Sequence, residues 1–290
     1  VENIRFADAQ SRTDVYRMWK TVFGDDDAYM ELYFGSKYRD ENTLVYFHDN
    51  VAMASLQMLP YKFTFHGVEI DIAYVMGVCT LPEFRGKGFQ DALLKRMLQV
   101  LSERNIPLAI LVPAEPWLLE FYRKYGFAQT FEPSDKSLPL LKELKSRLPN
   151  VEDAYKEFDA FFRSSDMTVQ KSLDDFKVIM REAELFNFPD KKSLIGMARI
   201  INAEYLLSVF AKQYPEKTLT IQVEDNIIPQ NNQTFRLASG KLSATICQPT
   251  LTTDINLLSR LLLGYKTSEL EATLSDLFPE KYTQINFMLE

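Results

Sequence analysis

The 290-residue sequence predicts an α/β (α+β) chain: an N-terminal mixed sheet with flanking helices, a helical connector, and a smaller α/β unit. Three observations carry this. Segments rich in β-branched and aromatic residues crowd positions 43–79 and are broken by turn residues, the pattern of an antiparallel meander. The all-apolar run Pro107–Val112 follows a helix that follows a strand, so it reads as a buried parallel strand. A length of 290 at roughly 150 residues per domain gives two domains.

Along the chain, Ile4–Ala7 is a short strand. Val15, Met18, Trp19, Val22 and Phe23 have helical spacing in Ser11–Phe23, where Ser11, Thr13 and Asp14 offer caps. Asp26–Phe34 is a second short helix. The meander follows as Thr43–His48, Val51–Met58, Tyr61–Phe65 and Val68–Cys79, with breaks at Asp49-Asn50, Pro60 and His66-Gly67. Phe89–Leu101 is a helix carrying Phe89, Leu93, Met97 and Val100 on one face. Trp117–Lys124 is a helix ended by Gly126, and Phe127–Phe131 is the last strand of the unit. Prolines 133, 139 and 149 with several lysines mark a connector, and 151–188 reads as helix with little strand signal. After the exposed break Pro189–Lys192 the elements are a helix (Ala203–Gln213), an alternating strand (Leu219, Ile221, Val223) and an Asn231-Asn232 turn. Strands Thr234–Ala238 and Lys241–Cys247 and helices Asp254–Tyr265 and Ser268–Phe278 complete it. The expected limits are 1–149, 150–190 and 191–290.

Composition narrows the function classes. With 46% hydrophobic and 25% charged residues the chain is globular rather than disordered. A net charge of −7 argues against a nucleic-acid partner and is compatible with a cationic one. Cys79 and Cys247 lie far apart in apolar stretches and read as buried free thiols of a reducing compartment. His48 and His66 are the only histidines, and no cluster has metal-ligand spacing, so neither a zinc site nor a histidine-activated nucleophile is expected. No apolar run approaches the roughly 20 residues of a membrane span, and no secretory leader is visible at Val1, where the missing Met suggests a start trimmed or replaced. The expectation is a cytoplasmic protein without a membrane partner. Self-association into a homo-oligomer stays open.

The glycines are few, and two of them fall in Thr80-Leu-Pro-Glu-Phe-Arg85-Gly-Lys-Gly-Phe-Gln90. This segment joins a strand to a helix N-terminus. Converging N–H groups, a positive dipole end and missing Cβ atoms at Gly86 and Gly88 form an anion site, with Arg85 and Lys87 adding charge. The plain alternative is a tight turn before a helix. A P-loop needs GxxxxGK[ST], which is absent, and a dinucleotide fingerprint fails because Asp91 stands where its third glycine should be.

Arg85-Gly86-Lys87-Gly88-Phe89-Gln90 after a meander resembles the acyl-CoA signature of the GCN5-related N-acetyltransferase superfamily, with Gln90 replacing the usual Gly or Ala. Phe121-Tyr122-Arg-Lys-Tyr125-Gly126-Phe127 resembles the superfamily's second signature, and the likeness covers residues 1 to 131. Met197–Leu207 and Leu219–Asp225 look like the opening helix and first strand of a sterol carrier protein-like domain, the arrangement of the enhanced intracellular survival family of acetyltransferases. The resemblance implies acetyl-CoA as cosubstrate, with no metal, and a primary amine of a small cationic molecule or lysine-like group as acceptor. Val78, Cys79 and Thr80 would pair with the pantetheine and supply oxyanion N–H groups, and residues Arg85 to Asp91 would hold the pyrophosphate. Tyr122 is the candidate acid, with Tyr125 as the decoy three residues on.

Direct attack needs a neutral amine, hence a base. Glu115 is one candidate. Asp26, in the acidic cluster Asp25-Asp26-Asp27 with Glu31, could bind a cationic acceptor or could simply complement a helix dipole. In the resembled family the C-terminal carboxylate reaches into the acetyltransferase site. Here the chain ends Asn286-Phe-Met-Leu-Glu290, so Glu290 would deliver that carboxylate unless the tail is a final strand or core plug of its own domain. A different class of function, a non-catalytic acyl-CoA or lipid binder using the C-terminal domain as an apolar pocket, is the alternative.

Overall fold

The computed structural model describes residues 4–133, 137–191 and 193–289. Strand β1 (Ile4–Phe6), helices α1 (Arg12–Phe23) and α2 (Asp27–Ser36), and strands β2 (Thr43–His48), β3 (Val51–Phe65) and β4 (Val68–Thr80) come first. Helix α3 (Phe89–Glu103), strand β5 (Leu108–Leu111), helix α4 (Leu118–Arg123) and strand β6 (Ala128–Phe131) follow. Both hairpin turns are formed by two residues with positive φ: Asp49 and Asn50 (49° and 62°), then His66 and Gly67 (48° and 76°). Such turns match the right-handed twist of the strands they join.

The expected break at Pro60 does not occur. β3 runs unbroken through it for 15 residues. β2 leaves β3 after Gln57, and the next strand on that edge joins only at Lys62, so Pro60 lies where β3 is paired on the β4 side alone. A missing N–H costs no ladder bond on an open edge.

The connector holds α5 (Leu141–Arg147), α6 (Val151–Arg163), a short strand β7 (Thr168–Gln170) and α7 (Leu173–Leu185). β7 is a correction to the all-helical expectation for 151–188. It pairs antiparallel with Lys62–Thr64 of β3. Three residues carry too little periodicity to announce a strand, and the partner lies a hundred residues away.

A larger correction concerns 196–200. The segment expected to open the C-terminal domain as helix is strand β8 (Gly196–Ile200), inserted into the first sheet between β5 and β6. The order is β1-β2-β3-β4-β5-β8-β6, with β7 on the β3 edge. The rest of the chain is α8 (Ala203–Gln213), β9 (Leu219–Glu224), β10 (Thr234–Ala238), β11 (Lys241–Ala244), β12 (Leu251–Asp254), α9 (Ile255–Leu262) and α10 (Ala272–Leu277). Its four strands form a separate sheet, β11-β10-β9-β12. Beyond Ala244 the expected strand stops, and Cys247 is exposed, not buried like Cys79.

The first sheet is covered on both faces. Leu56 and Met58 of β3 meet Leu93, Leu94, Met97, Leu98 and Leu101 of α3. Leu59, Tyr61, Phe63 and Phe65 point the other way, into a core shared with α1, α2, α8, α9 and β9. Each such side chain contributes about 1.5–3 kcal/mol on burial. The two units thus share one apolar core. His66 sits in that junction, with Nε2 2.8 Å from the Leu262 carbonyl. Burial pushes its pKa down to about 4, so at neutral pH the uncharged ring donates to that carbonyl. Among the described residues no helix is long and apolar enough to cross a membrane, and no three His, Cys, Asp or Glu side chains gather to hold a metal ion.

Candidate active site

The site begins as a split in the sheet. β5 pairs with β4 only where Leu108–Ile110 meet Ile72–Tyr74. β4 continues to Thr80, and β8 holds the opposite edge of β5 from Leu108 to Leu111. The β4 backbone from Val75 onward therefore has an edge that β5 does not cover. On its other side the β3–β4 register slips between Gln57↔Met76 and Ser55↔Cys79, so β4 carries an extra residue. Gly77, with φ 58°, makes this bulge, and a Cβ there would stand 2.5 Å from the Trp19 ring. A bulge re-aims backbone groups, and only glycine fits this one. Sequence reading missed Gly77. Its signal was present: an isolated glycine inside a continuous strand pattern.

The wedge opens into a cavity of about 1040 Å³. Val78, Cys79, Thr80, Arg85, Gly86, Lys87, Gly88, Phe89, Gln90 and Asp91 all line it, as do Glu115, Tyr122 and Tyr125. Gly86 and Gly88 have φ of 75° and 83°, and a Cβ added at either would meet no protein atom within 4 Å. The space beside them is open. Gly88 is the N-cap of α3 and supplies no side-chain acceptor, so the first-turn N–H groups at Phe89–Asp91 lack a side-chain cap. Arg85 Nε donates to the Thr80 carbonyl at 3.3 Å, and Lys87 stands 5.3 Å over the Phe84 ring. Gln90 accepts from the Thr80 hydroxyl at 3.3 Å, tying the helix start to the strand end. Phe89 stacks on Tyr46. The Asp91 carboxylate is engaged by Lys95 and by the Tyr125 hydroxyl at 3.1 Å.

Tyr122 is 6% exposed, and burial, then the neighbouring Tyr125, raise its pKa. It stays protonated at neutral pH. Among the described residues its hydroxyl has no hydrogen-bond partner, whereas the Tyr125 hydroxyl is held by Asp91. Burial also pushes the Cys79 thiol up to about 11, and its sulfur rests 3.3 Å from the Ser55 hydroxyl. A thiol so protonated is a poor nucleophile.

Asp26 is not brought to the cavity. Its carboxylate caps α2, accepting the Tyr29 N–H at 2.7 Å. Asp25 lies on the wall instead, held by the Trp19 indole N–H at 2.6 Å. Phe23 and Trp117 flank the opening, 43% and 65% exposed, and sequence reading assigned neither. The expectation for Glu290 lies outside the described residues; Leu289, the last of them, is on the cavity wall.

Residues 3–130, which contain the split sheet and its glycine turn, match the acetyltransferase (GNAT) domain family. Residues 204–277 match the sterol carrier protein domain family. The N-terminal domain therefore belongs to the GCN5-related N-acetyltransferase superfamily, and the chain is an N-acetyltransferase with an appended sterol carrier protein-like domain. The whole chain shares its fold with a GCN5-related N-acetyltransferase from Anabaena variabilis (TM-score 0.73, 17% identity, 99% of this chain and 100% of that one). It shares it also with Eis1 from Mycobacterium abscessus (0.62, 15%, 94% and 92%) and with a GCN5-related N-acetyltransferase from Kribbella flavida (0.63, 13%, 97% and 98%). At these identities the likeness is one of fold. No curated protein matches the chain in sequence.

Proposed function

We propose that this protein transfers an acetyl group from acetyl-CoA to a primary amine of a small cationic molecule or lysine-like group, by direct attack. The observation that carries this reading is the meeting, in one cavity, of the uncovered β4 edge, the Gly86–Gly88 turn and Tyr122. The pantetheine would lie along Val78–Thr80 as an added strand, which aims the thioester oxygen at the bulged backbone. The pyrophosphate would sit on the uncapped N–H groups at the start of α3, with Arg85 and Lys87 beside it. The protonated Cys79 supports direct attack over an acyl-cysteine relay. Tyr122 would donate to the departing thiolate. Glu115 and Asp25 are the acidic groups on the wall for an ammonium, and a carboxylate at Glu290 would take the amine's proton, supported by Leu289 on the wall. In this reading 1–149 carries the chemistry, while 150–190 and 191–290 support it.

Thiol release from acetyl-CoA with a panel of primary amines tests the proposal. Amine-dependent release with an acetylated product is expected; coenzyme A binding without release for any amine would leave a binding protein. Gly88→Val tests the cradle. An added Cβ meets no protein atom within 4 Å, but φ of 83° disfavours it and it projects into the open space. Affinity for coenzyme A should fall at least tenfold, about 1.4 kcal/mol, by calorimetry on the folded variant. Unchanged affinity would remove the phosphates from this turn.

A further inference from the structure

Residues 283–289 are buried throughout, with exposures between 0% and 5%, yet form no helix or strand. Backbone in such a segment must find its partners one by one. Thr283 donates from its hydroxyl to the Thr130 carbonyl of β6. The Gln284 N–H bonds the Met167 carbonyl at 2.9 Å, and the Ile285 carbonyl accepts the Leu194 N–H at 3.0 Å. The Asn286 carbonyl accepts from the Lys171 amino group at 2.7 Å. The chain then turns at Phe287 through a φ of 48°, unusual for an aromatic residue, with its ring packed on Phe158 and Phe162 of α6. Two residues later Leu289 stands on the cavity wall.

We propose that Lys171 is a positioning residue of the acetyltransferase site: its amino group, bonded to the Asn286 carbonyl, fixes the buried segment whose end, Leu289, forms part of the cavity wall. Lys171 directly follows β7, which is anchored on β3, so the tether runs from the first sheet to the tail. A lysine only 2% exposed is costly, and a purely packing role would be filled better by methionine. What the amino group supplies is hydrogen bonds, to Asn286 and to the Val169 carbonyl at 3.3 Å, above the Phe162 ring. The Asn286 side-chain amide has no partner among the described residues, so the carbonyl bond to Lys171 is the side-chain tether at the residue before the turn. This gives the helical connector a part in the site it does not line: α6 and β7 with Lys171 hold the tail in register.

The inference rests on the proposed function, and one experiment separates the two. Lys171→Met keeps the volume and removes the donors. Amine-dependent kcat should fall roughly tenfold or more, because displacements on the order of 1 Å at a reacting centre cost that much. The dissociation constant of acetyl-CoA should stay within about twofold, since the Gly86–Gly88 turn is untouched. Amide hydrogen exchange should quicken at 284–289 and not elsewhere in the first sheet. Equal turnover by the variant and the unsubstituted protein overturns the inference alone, and so does lost turnover with exchange in 284–289 unchanged. No turnover by the unsubstituted protein overturns the proposed function and this inference with it. Should the methionine variant not fold, Lys171→Gln, which retains an N–H donor at shorter reach, is read by the same measurements: a fall in kcat with faster exchange at 284–289 is expected, and its absence overturns the tether.

Discussion

Replacing Tyr122 with phenylalanine is expected to lower turnover on the order of 10²-fold and to leave acetyl-CoA affinity close to that of the unsubstituted protein. In the proposed reaction the thiolate would leave into a cavity whose walls include Val112, Leu118, Phe121 and Leu289, where a charged sulfur would be poorly solvated and its basicity raised. The same burial holds the Tyr122 proton in place. Donor and leaving group would thus be raised together, and the proton would pass, or be shared, only as the thioester breaks. Such an interaction is made in the transition state and not in the ground state, so it acts on kcat. Phenylalanine removes one oxygen and keeps the edge-on contact with Phe127, so folding should be unaffected. Tyr125→Phe is the control. It loses the bond to Asp91 but no group free to meet a ligand, and should cost little. Damage at Tyr125 with none at Tyr122 would reverse the assignment.

The parts of the site that sequence reading found are those written within a few residues of one another. The turn at Gly86 and Gly88 announces itself because glycines, basic residues and a helix start are adjacent. Tyr122 and Gly126 lie in one short helix and its cap. Gly126 shows how far local reading reaches. Its φ of 86° follows from ending a helix, but its other constraint does not: an added Cβ would stand 2.6 Å from Arg199 Nε and 2.8 Å from Ile255. Those neighbours come from the C-terminal half. β8 was unreadable for the same reason. Met197-Ala-Arg-Ile-Ile continues into helical residues, and a charged residue in the middle of an apolar run suggests a helix face, not a central strand. What makes it a strand is the open β5 edge and a partner for the charge, neither near in sequence. Likewise Asp26 and Asp25 differ by one position, and only the geometry of the α1–α2 turn decides which caps a helix and which meets the cavity.

Asp225→Asn is expected to destabilise the protein by about 3–5 kcal/mol, the cost of leaving one member of a buried ion pair without the other. Arg199 and Asp225 are 0% and 1% exposed and meet through two bonds of 2.7 and 2.8 Å. Burial pulls the arginine's pKa down and the carboxylate pulls it back up. The guanidinium also donates from Nε to the Tyr125 carbonyl at 3.0 Å and from another nitrogen to the Ile200 carbonyl. Asp225 in turn accepts the N–H groups of Ile227 and Ile228 and the Asn231 amide. The Asp225 carboxylate thus accepts from Arg199 Nη2, from two backbone N–H groups and from the Asn231 amide. An asparagine there offers one acceptor oxygen and turns an NH₂ group toward other donors, so the shape is kept and the electrostatics reverse. The pair joins β8 to the end of β9 and, through Arg199 Nε, to the turn after Tyr122, so its loss should loosen the junction on which the site rests. Urea unfolding should show a lower midpoint with an unchanged slope. The double variant Arg199→Met/Asp225→Leu removes both charges and should be less destabilised than Asp225→Asn, because no charge is left stranded. If Asp225→Asn unfolds at the same urea concentration as the unsubstituted protein, the ion pair does not hold the two domains together.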